Sequence, residues 1–306
     1  MFKYIKSLKA LKRGNKMFID KILKQAKNNK TKIIFPEAED ERILKAIASC
    51  EKYKIVDPIL VGNIKKIRAS AKKHKVNINN YIIIEPKKDN LKFACEALKK
   101  DYADAMIAGS LYTSADVIKN SYKIVGLQKR TKTFSSFFVM DLKQPLMFAD
   151  CAVMPNPTSR QLADIAISTA KNTKKLLKIE PKVAMLSFST KGSAKHKDVT
   201  KVIQATKLAK KSKLKIDGEL QADTALVESI AKRKLKNSKV AGKANTLIFP
   251  DLNSGNIAYK LTQYFTGCNA YGPILQGFAK PISDLSRGCK VEDIIGVIAI
   301  ISTLSK

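Results

Sequence analysis

The 306-residue chain contains no tryptophan and only two histidines, His74 and His196. A Ser/His/Asp triad is hard to build from so few imidazoles: His196 stands in a lysine-rich stretch without an obvious partner, and both histidines read as solvated surface residues. Five cysteines, Cys50, Cys95, Cys151, Cys268 and Cys289, are scattered with no CxxC spacing. An odd, dispersed set argues against a disulfide framework and against a zinc site, so no metal is expected. No apolar run approaches the roughly 20 residues of a membrane-spanning helix, which reads as a soluble protein. Acids are scarce too, 26 Asp and Glu against 58 Lys and Arg, for a formal net charge of +32. Such an excess can mark a nucleic-acid binder. Here the lysines spread over nearly every predicted helix without a nucleic-acid signature, so most of the charge reads as solvated helix faces.

With 45% hydrophobic residues, the chain can bury a large core as one large or two ordinary domains. Short apolar strands alternate with amphipathic helices. Lys32 to Phe35 leads to Ile43 to Lys52, Pro58 to Val61 to Ile64 to Lys73, Tyr81 to Ile84 to Leu91 to Leu98, and Ala105 to Ala108 to Ala115 to Val125. That alternation predicts parallel strands with crossover helices, a three-layer α/β domain. Near Lys129 to Lys132 the pattern changes. Phe134 to Met140 and Leu146 to Ala149 are separated by only a short turn, a hairpin that does not fit the alternation and marks a second α/β domain. That domain is expected to hold helices at Arg160 to Lys174, Val199 to Lys211 and Thr224 to Lys232, with strands at Val183 to Phe188 and Thr246 to Phe249. Before Asp20 there is no acid. Residues 1–16 read as a basic N-terminal extension, with organelle targeting the lesser reading, and 17–130 and 131–273 as the two domains.

Ligand sites in open α/β sheets lie beyond the carboxyl ends of the strands, which singles out three loops. Ser189, Thr190, Gly192 and Ser193 offer hydroxyls and backbone N–H groups that could cradle a phosphate, although an ordinary Ser/Gly turn has the same composition. Asn253, Ser254, Gly255 and Asn256 could hydrogen-bond an acyl or phosphate oxygen, or form an Asx turn and helix cap. The third is Ser286, Arg287, Gly288 and onward to Asp293, where an exposed turn leads into the apolar run from Ile294 to Ile301. An acid in the first turn of a helix faces unpaired N–H groups. Arg287 and Asp293 are either reactive groups at the mouth of a site or a surface ion pair closing a helix.

The stretch GPILQGFAKPISDLSRGCKVEDIIGVIAI, Gly272 to Ile300, resembles the C-terminal signature of the phosphate acetyltransferases (phosphotransacetylases) of the phosphate acetyl/butyryltransferase family. FADCAVMPNPTSRQLADIAI from Phe148, MLSFSTKGSAKHKDV from Met185, IDGELQADTALV from Ile216 and VAGKANTLIFPDLNSGNIAYKL from Val240 agree with it. The resemblance implies two α/β domains with an interdomain cleft, related to isocitrate and isopropylmalate dehydrogenases, with 274–306 returning to the first domain. It also implies a cytoplasmic homodimer that interconverts acetyl-CoA plus phosphate with acetyl phosphate plus CoA, without metal or cofactor. Butyryl phosphate is the competing substrate; a non-catalytic acyl-CoA-binding relative and a basic nucleic-acid binder are the rival functions.

Acyl transfer of this kind needs the thiolate, and a free thiol with a pKa of about 8.5 is only a few per cent ionised at neutral pH. The resemblance gives catalytic roles to Ser286, Arg287 and Asp293. Asp293 is expected to be the base, Arg287 to meet the carbonyl and phosphate oxygens through its forked donors, and Ser286 to add one hydrogen bond. Cys151 and Cys289 are expected beside the substrate, and direct transfer in a ternary complex needs neither as nucleophile. The chain departs from the family pattern at Lys119, where arginine is usual, at the shortened loop Tyr81 to Asn90, which has Lys87 and Lys88 but no arginine, at Met154 and at Ala105. Lysine keeps the charge but not the bidentate fork, which predicts weaker coenzyme A binding.

Overall fold

In the computed structural model, residues 16–87, 89–129, 131–235 and 237–305 are described. The basic extension lies outside them apart from Lys16. The chain divides into two compact units, one of residues 16–132 and 271–306 and the other of 133–270.

The first unit begins with α1 (Lys16–Ala26), then β1 (Thr31–Phe35), α2 (Glu41–Cys50), β2 (Val56–Val61), α3 (Ile64–Lys73), β3 (Ile82–Ile84), α4 (Asn90–Lys99), β4 (Ala105–Ala108) and α5 (Ser114–Asn120). A π turn, Ser121–Val125, extends α5. The expected alternation is present. The strands run in the order β3, β2, β1, β4, and each neighbouring pair is parallel. The helices from α2 to α5 each open where a short polar side chain takes a free N–H group: Asp40, Asn63, Asp89 and Thr113 cap α2, α3, α4 and α5.

The second unit has β5 (Ser135–Met140), β6 (Leu146–Ala149), α6 (Ser159–Leu177), β7 (Lys182–Leu186), α7 (Lys197–Lys210), β8 (Lys215–Leu220), α8 (Ala222–Leu226), α9 (Glu228–Lys234), β9 (Thr246–Ile248) and α10 (Leu252–Thr266). Its strand order is β5, β6, β9, β7, β8. The predicted hairpin is the antiparallel pair β5 and β6, and the other neighbours are parallel. Three elements differ from expectation. Thr224 to Lys232 is two short helices, broken where Val227 takes an extended backbone, and β8 and α10 are absent from the expected set.

The chain ends with β10 (Ala270–Gln276), β11 (Ile282–Asp284) and α11 (Val291–Leu304). β11 pairs parallel with β4 and antiparallel with β10, extending the sheet of the first unit. α11 is apolar nearly all round, as a fully buried helix must be. Ile294, Val297, Ile298, Ile300 and Ile301 are all excluded from solvent, and the helix packs on α1 and α2. Among the described residues no helix is long and apolar enough to cross a membrane.

Candidate active site

Beyond β11, the Leu285 N–H still reaches the Ala108 carbonyl at 2.6 Å, continuing the pairing with β4. The chain then turns. Cys289 N–H donates to the Ser286 carbonyl at 2.9 Å and Gly288 N–H to Ser286 Oγ at 3.3 Å, so the turn closes on itself and presents Ser286 and Arg287 to solvent. The hydroxyl proton of Ser286 is not spent in that bond. α11 starts two residues past Cys289, and Asp293 in its first turn accepts from the Lys290 N–H at 2.9 Å.

Asp293 is half-buried, and burial raises its pKa above the ordinary carboxylate value against the pull of the Lys290 N–H and ammonium group. A carboxylate raised in this way is a better proton acceptor at neutral pH than a solvated one. Among the described residues no ion pair joins Arg287 to Asp293, so closing the helix is not what these two side chains do for each other.

The turn is held from behind by residues the sequence reading passed over. Arg42, in the first turn of α2, donates from Nη1 to the carbonyls of Arg287 at 2.7 Å and Cys289 at 3.0 Å, and from Nη2 to the Ser110 carbonyl at 3.0 Å. Asp40 fixes the guanidinium through Nε at 3.1 Å and Nη2 at 2.6 Å. Glu37, buried at the end of β1, accepts from the backbone N–H groups of Ser110, Leu111 and Tyr112 and from the Ser110 hydroxyl. The signal was available: in a chain poor in acids, Glu37, Glu39, Asp40 and Glu41 crowd the carboxyl end of one strand.

Close by, Gly109 has φ +98°, and a Cβ there would stand 2.3 Å from Asp284 Oδ1. Only glycine fits. Asp284 is buried with Oδ1 unpartnered, and burial, helped by the charge of Glu37, pushes its pKa up to about 6.

Lys119 is exposed on α5. The shortened loop leaves only five residues between β3 and α4, and Ala105 is buried as the first residue of β4. His74 differs from expectation, being partly buried and paired with Glu41, while His196 caps α7.

The second unit holds the remaining candidates. Ser189 Oγ and Gly192 N–H both donate to Glu219 Oε1, at 3.1 and 2.6 Å. Thr190 N–H goes to Ser193 Oγ at 3.0 Å, and Thr190 Oγ1 to Gln221 Oε1 at 3.3 Å. The proposed phosphate cradle therefore has a protein carboxylate in it. The same device closes the turn after β6. Asp150 is buried and accepts from the N–H groups of Ala152, Val153 and Met154 and from Ser136 Oγ. What Met154 supplies to this turn is its backbone.

The stretch Asn253 to Asn256, expected as a loop, forms the first turns of α10. Asp251 caps it by accepting the Ser254 N–H at 2.9 Å. Within this unit Asn256 and Gly255 meet Cys151. Asn256 Nδ2 donates to the Cys151 carbonyl at 3.0 Å, and a Cβ on Gly255 would lie 2.1 Å from the Asp150 carbonyl oxygen and 3.2 Å from Cys151 Sγ.

Both candidate thiols are buried. Burial pushes Cys289 up to about 11 although the charge of Arg42 opposes it, and Cys151 rises well above the usual thiol range. At neutral pH a thiol of pKa about 11 is ionised in about one molecule in ten thousand. Neither cysteine is an activated nucleophile.

The family model described as phosphate acetyl/butaryl transferase matches residues 17–92 and 85–302. The phosphate acetyltransferase of Thermoanaerobacterium thermosaccharolyticum is 42% identical over 92% of this chain and 97% of that protein. That of Clostridium acetobutylicum is 43% identical over 92% and 96%. Among solved structures, a phosphotransacetylase from Streptococcus pyogenes superposes with a TM-score of 0.89 at 35% identity, covering 94% of this chain and 98% of that one.

Proposed function

Because the chain belongs to the phosphate acetyl/butaryl transferase family and is a phosphate acetyltransferase, we propose that Asp293, Arg287 and Ser286 carry the transfer between coenzyme A and acetyl phosphate. Asp293 takes the proton of the coenzyme A thiol, and the thiolate attacks the carbonyl carbon. A C–S bond forms, the C–O bond to phosphorus breaks, and the electron pair leaves with inorganic phosphate. The guanidinium of Arg287 meets the oxygen charge that builds on the carbonyl and on the leaving phosphate, and Ser286 donates one further hydrogen bond. The reaction is redox-neutral and its proton has an acceptor, so coenzyme A enters as substrate and no metal or cofactor is needed.

The observation that carries this reading is a half-buried carboxylate, raised by burial, in the first turn of α11, which follows directly on the turn that presents Ser286 and Arg287 to solvent. Cys151 and Cys289 line the substrate without attacking it. Ser189, Thr190, Gly192, Ser193, Asn253, Gly255 and Asn256 shape the substrate side of the second unit. Lys119 meets a coenzyme A phosphate as a point charge. The enzyme acts in the cytoplasm as a homodimer; Ile257, Leu261, Tyr264 and Phe265, exposed on one face of α10, support self-association.

The test is coenzyme A-dependent consumption of acetyl phosphate and of butyryl phosphate. Asp293→Asn is expected to lose about 10² to 10⁴ in kcat and Arg287→Ala about 10² to 10³, while Lys119→Arg lowers the KM for coenzyme A. Faster turnover of butyryl phosphate would reassign the substrate. An Asp293→Asn enzyme within tenfold of the unmodified rate would remove the base from the mechanism.

A further inference from the structure

A guanidinium has five N–H donors in a rigid planar fork, and in Arg42 every one of them has an acceptor within the protein. Nε–H goes to Asp40, one Nη2–H to Asp40 and the other to the Ser110 carbonyl, and the two Nη1–H groups to the carbonyls of Arg287 and Cys289. Nothing is left over for a ligand, and the side chain is only 24% exposed. Two of those acceptors are main-chain oxygens of the turn that carries the proposed catalytic arginine, 245 and 247 positions away in the chain. A third belongs to the loop that Glu37 holds by its N–H groups.

We propose that Arg42 is a positioning residue, clamping the main chain of the Ser286 to Cys289 turn so that the Arg287 side chain meets the transferring group in a fixed place. The proposal rests on the assignment of Arg287 to the reaction. Among the described residues the turn's own two hydrogen bonds, at 2.9 and 3.3 Å, close it locally but tie it to no other element. A lysine at position 42 could satisfy at most three acceptors from a single point and could not span both sides of the fork. The same clamp covers Cys289, whose Sγ lies 3.9 Å from Arg42 Nη1. Loosening it should therefore uncover that thiol, an effect that can be read without any turnover.

The experiment compares the full chain with Arg42→Lys and Arg42→Ala, using steady-state kinetics and timed labelling of native protein with an aromatic disulfide reagent, the modified cysteines being identified by mass spectrometry. For Arg42→Lys the expected result is a kcat lower by about 30- to 100-fold, the scale of a displacement of about 1 Å at a reacting group, with the KM for coenzyme A changed less than threefold. Cys289 labelling should rise at least tenfold while Cys50 and Cys95, buried elsewhere in the same unit, label as before. Free guanidinium should restore part of the lost rate to Arg42→Ala, and methylammonium should not. Cys289 labelling unchanged in folded Arg42→Lys protein would overturn the proposal. So would a raised KM with kcat intact, which would make Arg42 a binding group. If the unmodified enzyme turned over neither acyl phosphate, the functional assignment would fall, and the labelling comparison would still decide whether Arg42 holds the turn.

Discussion

Replacing Glu37 should separate a carboxylate that organises a loop from one that merely sits near it. Its two oxygens accept from the N–H groups of Ser110, Leu111 and Tyr112 and from the Ser110 hydroxyl, at a residue only 4% exposed. In Glu37→Gln one oxygen remains to accept from Leu111 and Tyr112, while an NH₂ group now confronts the Ser110 N–H. One buried donor is left without an acceptor, at a cost of about 1–3 kcal/mol. In Glu37→Ala all of these donors lose their partner, at about 1–3 kcal/mol for each that water does not reach, about 3–5 kcal/mol in all. With a urea slope of about 2 kcal/mol/M for a unit of this size, the midpoint should fall by about 0.5–1.5 M for the glutamine and about 1.5–2.5 M for the alanine. Urea unfolding followed by far-UV circular dichroism at pH 7 measures both. If the alanine variant came within about 1 kcal/mol of the unmodified protein, or proved no worse than the glutamine, the loop would not depend on the carboxylate and the reasoning would be refuted.

Gly255→Ala should lower stability by about 3 kcal/mol, or roughly 6–10 °C in a melting scan, because the new methyl would press on the Asp150 carbonyl oxygen; an unshifted melting temperature would show that α10 can retreat. Burial opposes ionisation of Asp217, yet hydrogen bonds from Lys191, Ser238 and Lys210 and the charge of Lys191 bring its pKa to about 2, from 3.8. A folded-state pKa below the unfolded value contributes stability above pH 3.8 that disappears as the pH drops through 2. Denaturation midpoints between pH 4 and pH 2 should therefore fall less steeply in Asp217→Asn, by about 2 kcal/mol over the interval, and parallel curves for the two proteins would contradict the assignment.

Much of the fold was readable in the sequence because buried parallel strands leave short apolar runs and crossover helices leave periodic ones. Ile64 to Lys73 and Ala105 to Ala108 match at both ends, and the short spacing at Phe134 to Ala149 announced the antiparallel pair. β8 escaped because KIDGEL places Lys215, Asp217 and Glu219 along one strand. The burial of the two acids is made tolerable by Lys191, Lys210, Ser238 and the 189–193 loop, supplied by other elements. α10 escaped because asparagine and glycine in its opening turns have the composition of a loop, and its cap, Asp251, lies two residues before the polar cluster Asn253 to Asn256. Ser286, Arg287 and Asp293 stood out because they fall together in one motif. Arg42 and Glu37 did not, since their partners are 245 and 73 positions away and only tertiary structure joins them.

Glu37 and Asp150 each lie in a bed of three main-chain N–H groups of the kind that elsewhere receives phosphate, and Glu219 takes the Gly192 N–H and the Ser189 hydroxyl of a third loop. A ligand tied to the same polypeptide competes as though present at millimolar levels or higher, without paying for association. Buffer phosphate or sulfate at a few millimolar will consequently leave these three segments as they are, and a soak in either salt should not repack them. An arriving anion finds cationic side chains as its available hosts, and the main chain around them stands already ordered before it comes.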